Sequence, residues 1–220
     1  MSESRTTACS IYYCNLSANK TNLHTEIRGH YHQMQHQAGR NLLRYGLKEQ
    51  FGLNEEEYDI FQIKNEKPYL ANHTDIHFNI SHCDGLVVCA IANDPVGIDA
   101  EPSNRLIHSS MYTRALHPKE RLRQSHSVDP NIFFLRYWTL KESYLKLIGM
   151  GLACDLTGLS FHPCEPFDTD VPPAFYRLEG SDAYFMQWDL EHHIVSYASH
   201  VHTIPRLVHV PDAYAQNYKK

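Results

Sequence analysis

The sequence predicts an α+β fold. Two segments, Gln33–Phe51 and Pro130–Ile148, carry apolar residues at helical spacing, and runs of short strand-like segments follow each of them. The breakers Asp84-Gly85, Asn93-Asp94-Pro95 and Gly149 fall between these segments and not inside them.

Ser10–Asn15 reads as a first strand. In Gln33–Phe51, Leu43, Leu47 and Phe51 recur every four residues, and Gly52 is a natural stop. Strands are expected at Tyr58–Lys64, His77–Ile80, Leu86–Ala92 and Val96–Ala100. Asp129 is placed to cap a helix whose first residue is Pro130, running to Ile148 and ended by Gly149. Trp138, Leu145 and Ile148 read as core residues of that helix. Further strands are expected at Leu159–His162, Ala174–Leu178, Tyr184–Leu190 and Ile194–His200. Asp75–Phe78 with Leu86–Ala90 faintly echoes Asp182–Phe185 with Ile194–Ala198. The echo reads either as two ordinary hairpins or as a trace of duplication.

A chain of 220 residues can bury a substantial core, and 42% hydrophobic with 20% charged residues is ordinary globular composition. No apolar run reaches membrane-span length and Met1–Ser10 lacks the apolar stretch of a signal peptide, so no membrane partner and a cytoplasmic location are expected. The six cysteines contain no C-x-x-C pair and read as reduced thiols. The net charge of −5 argues against nucleic acid as a partner. That charge is uneven: residues 105–123 hold Arg105, Arg114, Lys119, Arg121 and Arg123 against only Glu120, which suggests an acidic partner docking there. Of the sixteen histidines, His30, His32 and His36 have spacings that could hold a metal, but no cysteine stands near them, and a polar helix face is the plainer reading.

Two acidic patches carry the chemistry. Asp99 and Glu101 are two apart on an expected strand, so their carboxylates leave the same face. Glu142 and Lys146 are four apart on the second helix, with Trp138 one turn earlier. By itself each patch reads blandly, as a solvated strand end and a surface ion pair. If the helix packs beside the strand end, three carboxylates meet with a lysine at their margin. Three hard oxygen ligands suit Mg²⁺, which keeps waters and phosphate oxygens as its other ligands, so the site would handle a diphosphate.

A third block lies upstream, Lys67-Pro68-Tyr69 followed by Phe78-Asn79-Ile80-Ser81-His82. With Val96–Glu101 and Trp138–Lys146, in this order and spacing from about Gln37 to Leu159, it resembles the signature motifs of the 4′-phosphopantetheinyl transferases, in their longer surfactin-type class. The resemblance implies two pseudo-duplicated α+β halves, here 1–105 and 106–220, with the active site in the cleft between them. It implies transfer of phosphopantetheine from coenzyme A to a serine of an apo acyl or peptidyl carrier protein, leaving adenosine 3′,5′-bisphosphate. Asp99, Glu101 and Glu142 match the Mg²⁺ ligands, with Mn²⁺ a possible substitute. Glu142, directly or through water, would take the serine proton, and Lys146 would hold a diphosphate oxygen. His82 and Lys67 match positions that contact the 3′-phosphate of coenzyme A. Ser81 and His82 are expected where a strand opens into a turn with free amides. Arg40 lies on a helix like the one flanking the nucleotide pocket. Glu66 departs from the glycine usual before Lys-Pro and must turn outward from any phosphate. The carrier is expected to dock on 105–123, and the chain to act as a monomer. The alternative is a catalytically silent relative that binds carrier protein or coenzyme A. A histidine-rich metal-binding protein would need more clustered ligands than the sequence shows.

Overall fold

The computed structural model describes residues 9–16, 25–63, 66–150, 154–164 and 173–211. Lys64, the end of one expected strand, lies outside the described residues.

The chain opens with strand β1 (Cys9–Asn15) and helix α1 (Thr25–Phe51). Short strands β2 (Ile60–Phe61) and β3 (Tyr69–Leu70) pair with each other, and a hairpin of β4 (His77–Cys83) and β5 (Leu86–Ala92) follows. Next come β6 (Val96–Pro102), α2 (Ser110–Ala115), α3 (Pro118–Ser125) and α4 (Pro130–Ile148). The strands β7 (Phe161–Pro163), β8 (Ala174–Leu178), β9 (Tyr184–Leu190), β10 (His193–Ser199) and β11 (Arg206–His209) complete the described chain.

Two larger sheets result, one in the order β11-β1-β5-β4 and one in the order β6-β10-β9-β8-β7. Strand, helix and hairpin occur twice in the same arrangement: β1, α1 and β4–β5 in the first sheet, β6, α4 and β9–β10 in the second. The sequence echo noted above falls on the two hairpins. Strand β5 is buried along its whole length, which fits its near-continuous apolar sequence.

The pleat sorts side chains among three core clusters. Val87, Cys89 and Ile91 face α1 with Leu42, Leu43 and Leu47. Val88 and Ala90 face Ile98, Ala100, Met186, Val195 and Tyr197, where the two sheets pack together. Phe134, Leu135 and Leu140 of α4 pack on Phe185, Ile194 and Ala198. The layers are thus α1, first sheet, second sheet, α4.

Helix α4 begins and ends where local chemistry demands. The Asp129 carboxylate accepts from the amides of Asn131 and Ile132, both at 2.9 Å, and Gly149 adopts φ 71°, a left-handed stop that favours glycine. Beneath it, Thr139 and Ser196 hydroxyls meet at 2.8 Å, and the Gln187 amide donates to Ser196 Oγ at 2.8 Å. These buried bonds fix the helix on β9 and β10. Leu145 is buried as expected, but Ile148 is exposed, because Leu147 takes the inward face of that turn. Lys141, fully buried beside the motif residues, is neutralised by Glu120 at 2.6 Å and donates to the carbonyls of Ala115 and Leu156.

Candidate active site

The site forms where the first sheet's edge strand β4 runs beside the second sheet's edge strand β6. Edge backbone groups there are satisfied by side chains instead of a ladder. Asn79 Oδ1 accepts from the Ile98 amide at 2.8 Å, and the Lys67 ammonium donates to the Val96 carbonyl.

Alternation along β6 sends Ile98 and Ala100 into the inter-sheet core and leaves Gly97, Asp99 and Glu101 on the opposite face, beneath α4. Gly97 sets the closeness of that approach. A Cβ there would lie 2.5 Å from Leu147 N and closer still to the Ser143 carbonyl oxygen. Helix α4 therefore rests directly on the β6 backbone, and Glu142 and Lys146, one turn apart, come down beside the β6 carboxylates.

Lys146 Nζ lies 2.7 Å from Asp99 Oδ1 and donates to Ser81 Oγ at 2.9 Å; that hydroxyl donates to Asp99 Oδ1 at 3.0 Å. Asp99 is not a solvated strand end but a buried group, 6% exposed. Glu101 is ion-paired with Arg105. Burial raises its carboxyl above the usual range, opposed by Arg105 and by the Trp138 indole and reinforced by Asp99. Glu142 is pushed up to about 7, first by burial, then by the Asp99 charge, with Lys146 opposing and Glu101 adding. Asp99 Oδ2 and Glu142 Oε1 are buried with no hydrogen-bond partner among the described residues. Two orphaned carboxylate oxygens beside a third carboxylate are the donor set of a hard divalent cation, so the residues present fit Mg²⁺.

A cleft of about 450 Å³ opens alongside, bounded by His82, Asp84, Glu101, Asn104 and Arg105. His82 follows Ser81 but takes different partners. While Ser81 bonds Asp99 and Lys146, the His82 ring packs against His32 and His36 of α1, with ring centres 5.4 and 5.0 Å away. Burial and then the neighbouring His36, His32 and Lys146 lower His82 to about 4. The expected turn at Ser81–His82 is a continuation of β4, which pairs with β5 through Cys83; the turn itself is Asp84-Gly85. The amides of Ser81 and His82 belong to a strand, so they are not the free turn amides the sequence suggested.

Of the expected site residues, Asp99, Ser81 and Lys146 are joined by direct bonds, and Glu142 and Glu101 share their electrostatic environment. Arg40 is exposed, one turn beyond His36 and close enough to lower its proton affinity. Lys67 is held at the Val96 end of β6, where burial and then Lys146 depress it to about 8; no contact joins it to His82 or Arg40 among the described residues. Glu66 is exposed. Sequence reasoning missed the Arg105–Glu101 pair, whose i, i+4 spacing was the available signal, and the approach of His32 and His36 to His82, which depends on how α1 lies on β4.

The basic segment is less uniform than its composition. Arg105 holds Glu101, Lys119 pairs with Glu179 at 3.2 Å, and Arg123 turns inward to the Phe161 carbonyl and over the Tyr137 ring. Arg114 and Arg121 have no ion pair among the described residues.

Comparison with known proteins adds to this geometry. A 4′-phosphopantetheinyl transferase named gsp from Aneurinibacillus migulanus is 45% identical over 93 residues, 40% of this chain and 38% of that protein. The 4′-phosphopantetheinyl transferase HetI of a Nostoc strain is 32% identical over 158 residues, 67% of this chain and 66% of its own. The 4′-phosphopantetheinyl transferase Sfp of Bacillus subtilis is 29% identical over 127 residues, 54% of each chain. The chain thus spans less than two thirds of the length of each of these relatives. Residues 95–205, half of the chain and the stretch that carries β6 and α4, match the model of the 4′-phosphopantetheinyl transferase superfamily, and the chain belongs to that family.

Proposed function

We propose that the protein transfers the 4′-phosphopantetheine group of coenzyme A to a serine hydroxyl of an apo acyl or peptidyl carrier protein, leaving adenosine 3′,5′-bisphosphate. The observation that carries this reading is the meeting of Asp99, Glu101 and Glu142 beside Lys146, with buried, unpartnered oxygens on Asp99 and Glu142. Asp99, Glu101 and Glu142 would hold Mg²⁺ or Mn²⁺, which when bound offsets the charge of the diphosphate. With halves drawn at 1–105 and 106–220, the first would contribute Ser81, His82, Asp99 and Glu101 and the second Glu142 and Lys146, although β6, which carries Asp99 and Glu101, pairs into the second sheet.

Within this reading Glu142 takes the serine proton, directly or through a water. In the metal-free protein burial and Asp99 raise this carboxyl to about 7; a bound cation would lower it again, which favours the route through a water. Lys146 holds a diphosphate oxygen as a point charge, aligned by Ser81 and Asp99. His82, neutral at pH 7, offers an N–H to the 3′-phosphate, and exposed Arg40 adds charge on the same side. The position of Lys67 supports that role less, since its ammonium is committed to the Val96 carbonyl. The reaction is placed in the cytoplasm, with the enzyme acting as a monomer; none of the six cysteines is in a disulfide, and no helix among the described residues is long and apolar enough to cross a membrane.

Mass spectrometry of apo carrier proteins incubated with this protein, coenzyme A and Mg²⁺ tests the proposal. At least one carrier in a panel should gain the mass of one phosphopantetheine on its serine. EDTA should abolish the gain, added Mg²⁺ should restore it, and Asp99→Asn should remove most of it while circular dichroism stays native. A panel left wholly unmodified, with coenzyme A or carrier still bound, favours the silent relative.

A further inference from the structure

We propose that His32, His36 and His82 form a binding site for a borderline divalent transition metal, with Zn²⁺ as the reference ion, distinct from the three-carboxylate cluster. One ring nitrogen from each lies within 4.8 Å of the other two. The His32 and His36 ring centres are 4.4 Å apart, one helical turn from each other on α1. Metal–nitrogen bonds of about 2.0–2.1 Å in a tetrahedral site put ligand nitrogens roughly 3.3 Å apart. Small ring rotations close the remaining gap, and His32 and His36 are exposed and free to make them.

The frame around the cluster is fixed. Buried Gln35, beside His36, donates to the Cys83 carbonyl at 2.7 Å, directly after His82. The Tyr31 hydroxyl, beside His32, donates to Asp84 and accepts from the Gly85 amide at 3.0 Å. Both flanks of the helical pair are thereby tied to the end of β4, so the three imidazoles meet because of bonds that involve none of them. The donor set is all nitrogen, which selects zinc, cobalt, nickel or copper over magnesium, and three protein ligands leave a fourth position open. His36 and His82 are both lowered by burial and by their neighbours, so their lone pairs are available at neutral pH. Arg40 and Lys146 are the nearby cations and act against the site, whereas Asp84 and Glu101 are the nearby anions and favour it. The Cys83 thiol is pushed far up by burial and stays protonated, outside the donor set. The consequence for activity rests on the proposed function: zinc on the lone-pair nitrogen of His82 would fix the ring and its remaining N–H, and so would change the affinity for coenzyme A.

Isothermal titration of the full chain with Zn²⁺, in buffer holding excess Mg²⁺ to fill the carboxylates, tests the site itself. Wild-type protein should bind one ion, and the binding should weaken by at least about tenfold in His32→Ala and in His36→Ala, since even indirect supports of a metal cost that much. Asp99→Asn should leave zinc affinity unchanged. Both histidines are exposed on a helix, so alanine does not threaten folding, and a zinc-induced rise in Tm, present in wild type and absent in both variants, is an independent readout. Co²⁺ should give visible absorption that His36→Ala removes. Zinc binding that survives both histidine substitutions, moves with Asp99→Asn, or is absent from wild type overturns the proposal. None of these readings uses carrier modification, so a failed transfer assay leaves the metal site standing, and the reverse holds as well.

Discussion

As the proposed metal ligand, Glu142 would face two demands at once, because such a ligand must be ionised while burial beside Asp99 and Glu101 favours its proton. In the metal-free protein the folded state binds that proton more tightly than the unfolded chain. The contribution to stability is therefore complete below 4.5 and is lost as pH rises through about 7. Without divalent ions, thermal melts should show Tm falling between about pH 5 and about pH 8. Glu142→Gln should flatten that fall, and Mg²⁺ should raise the wild-type Tm more at the upper pH, where the ligand is ionised. A wild-type profile as flat as that of the variant would refute the assignment. At this scale the sequence was readable wherever a period decides: two residues on a strand and four on a helix aim Asp99, Glu101, Glu142 and Lys146 at one another. Arg105 was hidden inside a basic run, and the commitment of Ser81 to Lys146 depends on how two sheet edges meet, which no local rule encodes.

Among the elements, α4 was the most legible, since Asp129, Pro130 and Gly149 punctuate it and each does so by its own backbone chemistry. The hairpins β4–β5 and β9–β10 were legible from alternation and turn residues. Helices α2 and α3 were not, because they are short and mostly polar, with Leu122 exposed. The first turns of α1 are mostly polar, and β11 is too short to signal a strand without its partner. The close seat of α4 on β6 came from a residue the sequence reading passed over. Gly97→Ala would drive a methyl into the backbone of α4, where neither side has a flexible end to yield. Overpacking of this kind costs about 1–3 kcal/mol, and a clash with backbone belongs at the upper end. Urea denaturation should show that loss, and Mg²⁺ should protect Gly97→Ala less than wild type because Glu142 is displaced with the helix. Wild-type stability and wild-type protection by Mg²⁺ in that variant would show that the contact does not position the site.

For the whole molecule, the proposed function requires an acidic carrier to find the cleft, and the positive charge that would be open to it is smaller than composition suggests. Arg114 and Arg121 are the members of the basic segment without an internal partner among the described residues. Reversing both to glutamate should raise KM for carrier protein at low salt and leave KM for coenzyme A unchanged. The penalty should fade as ionic strength passes about 0.1–0.15 M, where exposed charges are screened beyond about 8–10 Å. An unaltered carrier KM at low salt would place docking elsewhere. One pairing reaches further than any charge. Strand β11 lies parallel to β1, with Ser10 opposite Arg206 and Tyr13 opposite His209, so the last described strand closes the sheet that the first one begins. A ribosome releases the partner of β1 only after nearly every other described residue. Until then that edge of β1 is an open template for foreign strands. Non-local pairing of this kind slows folding, so the dangerous interval runs from the making of β1 to the making of β11.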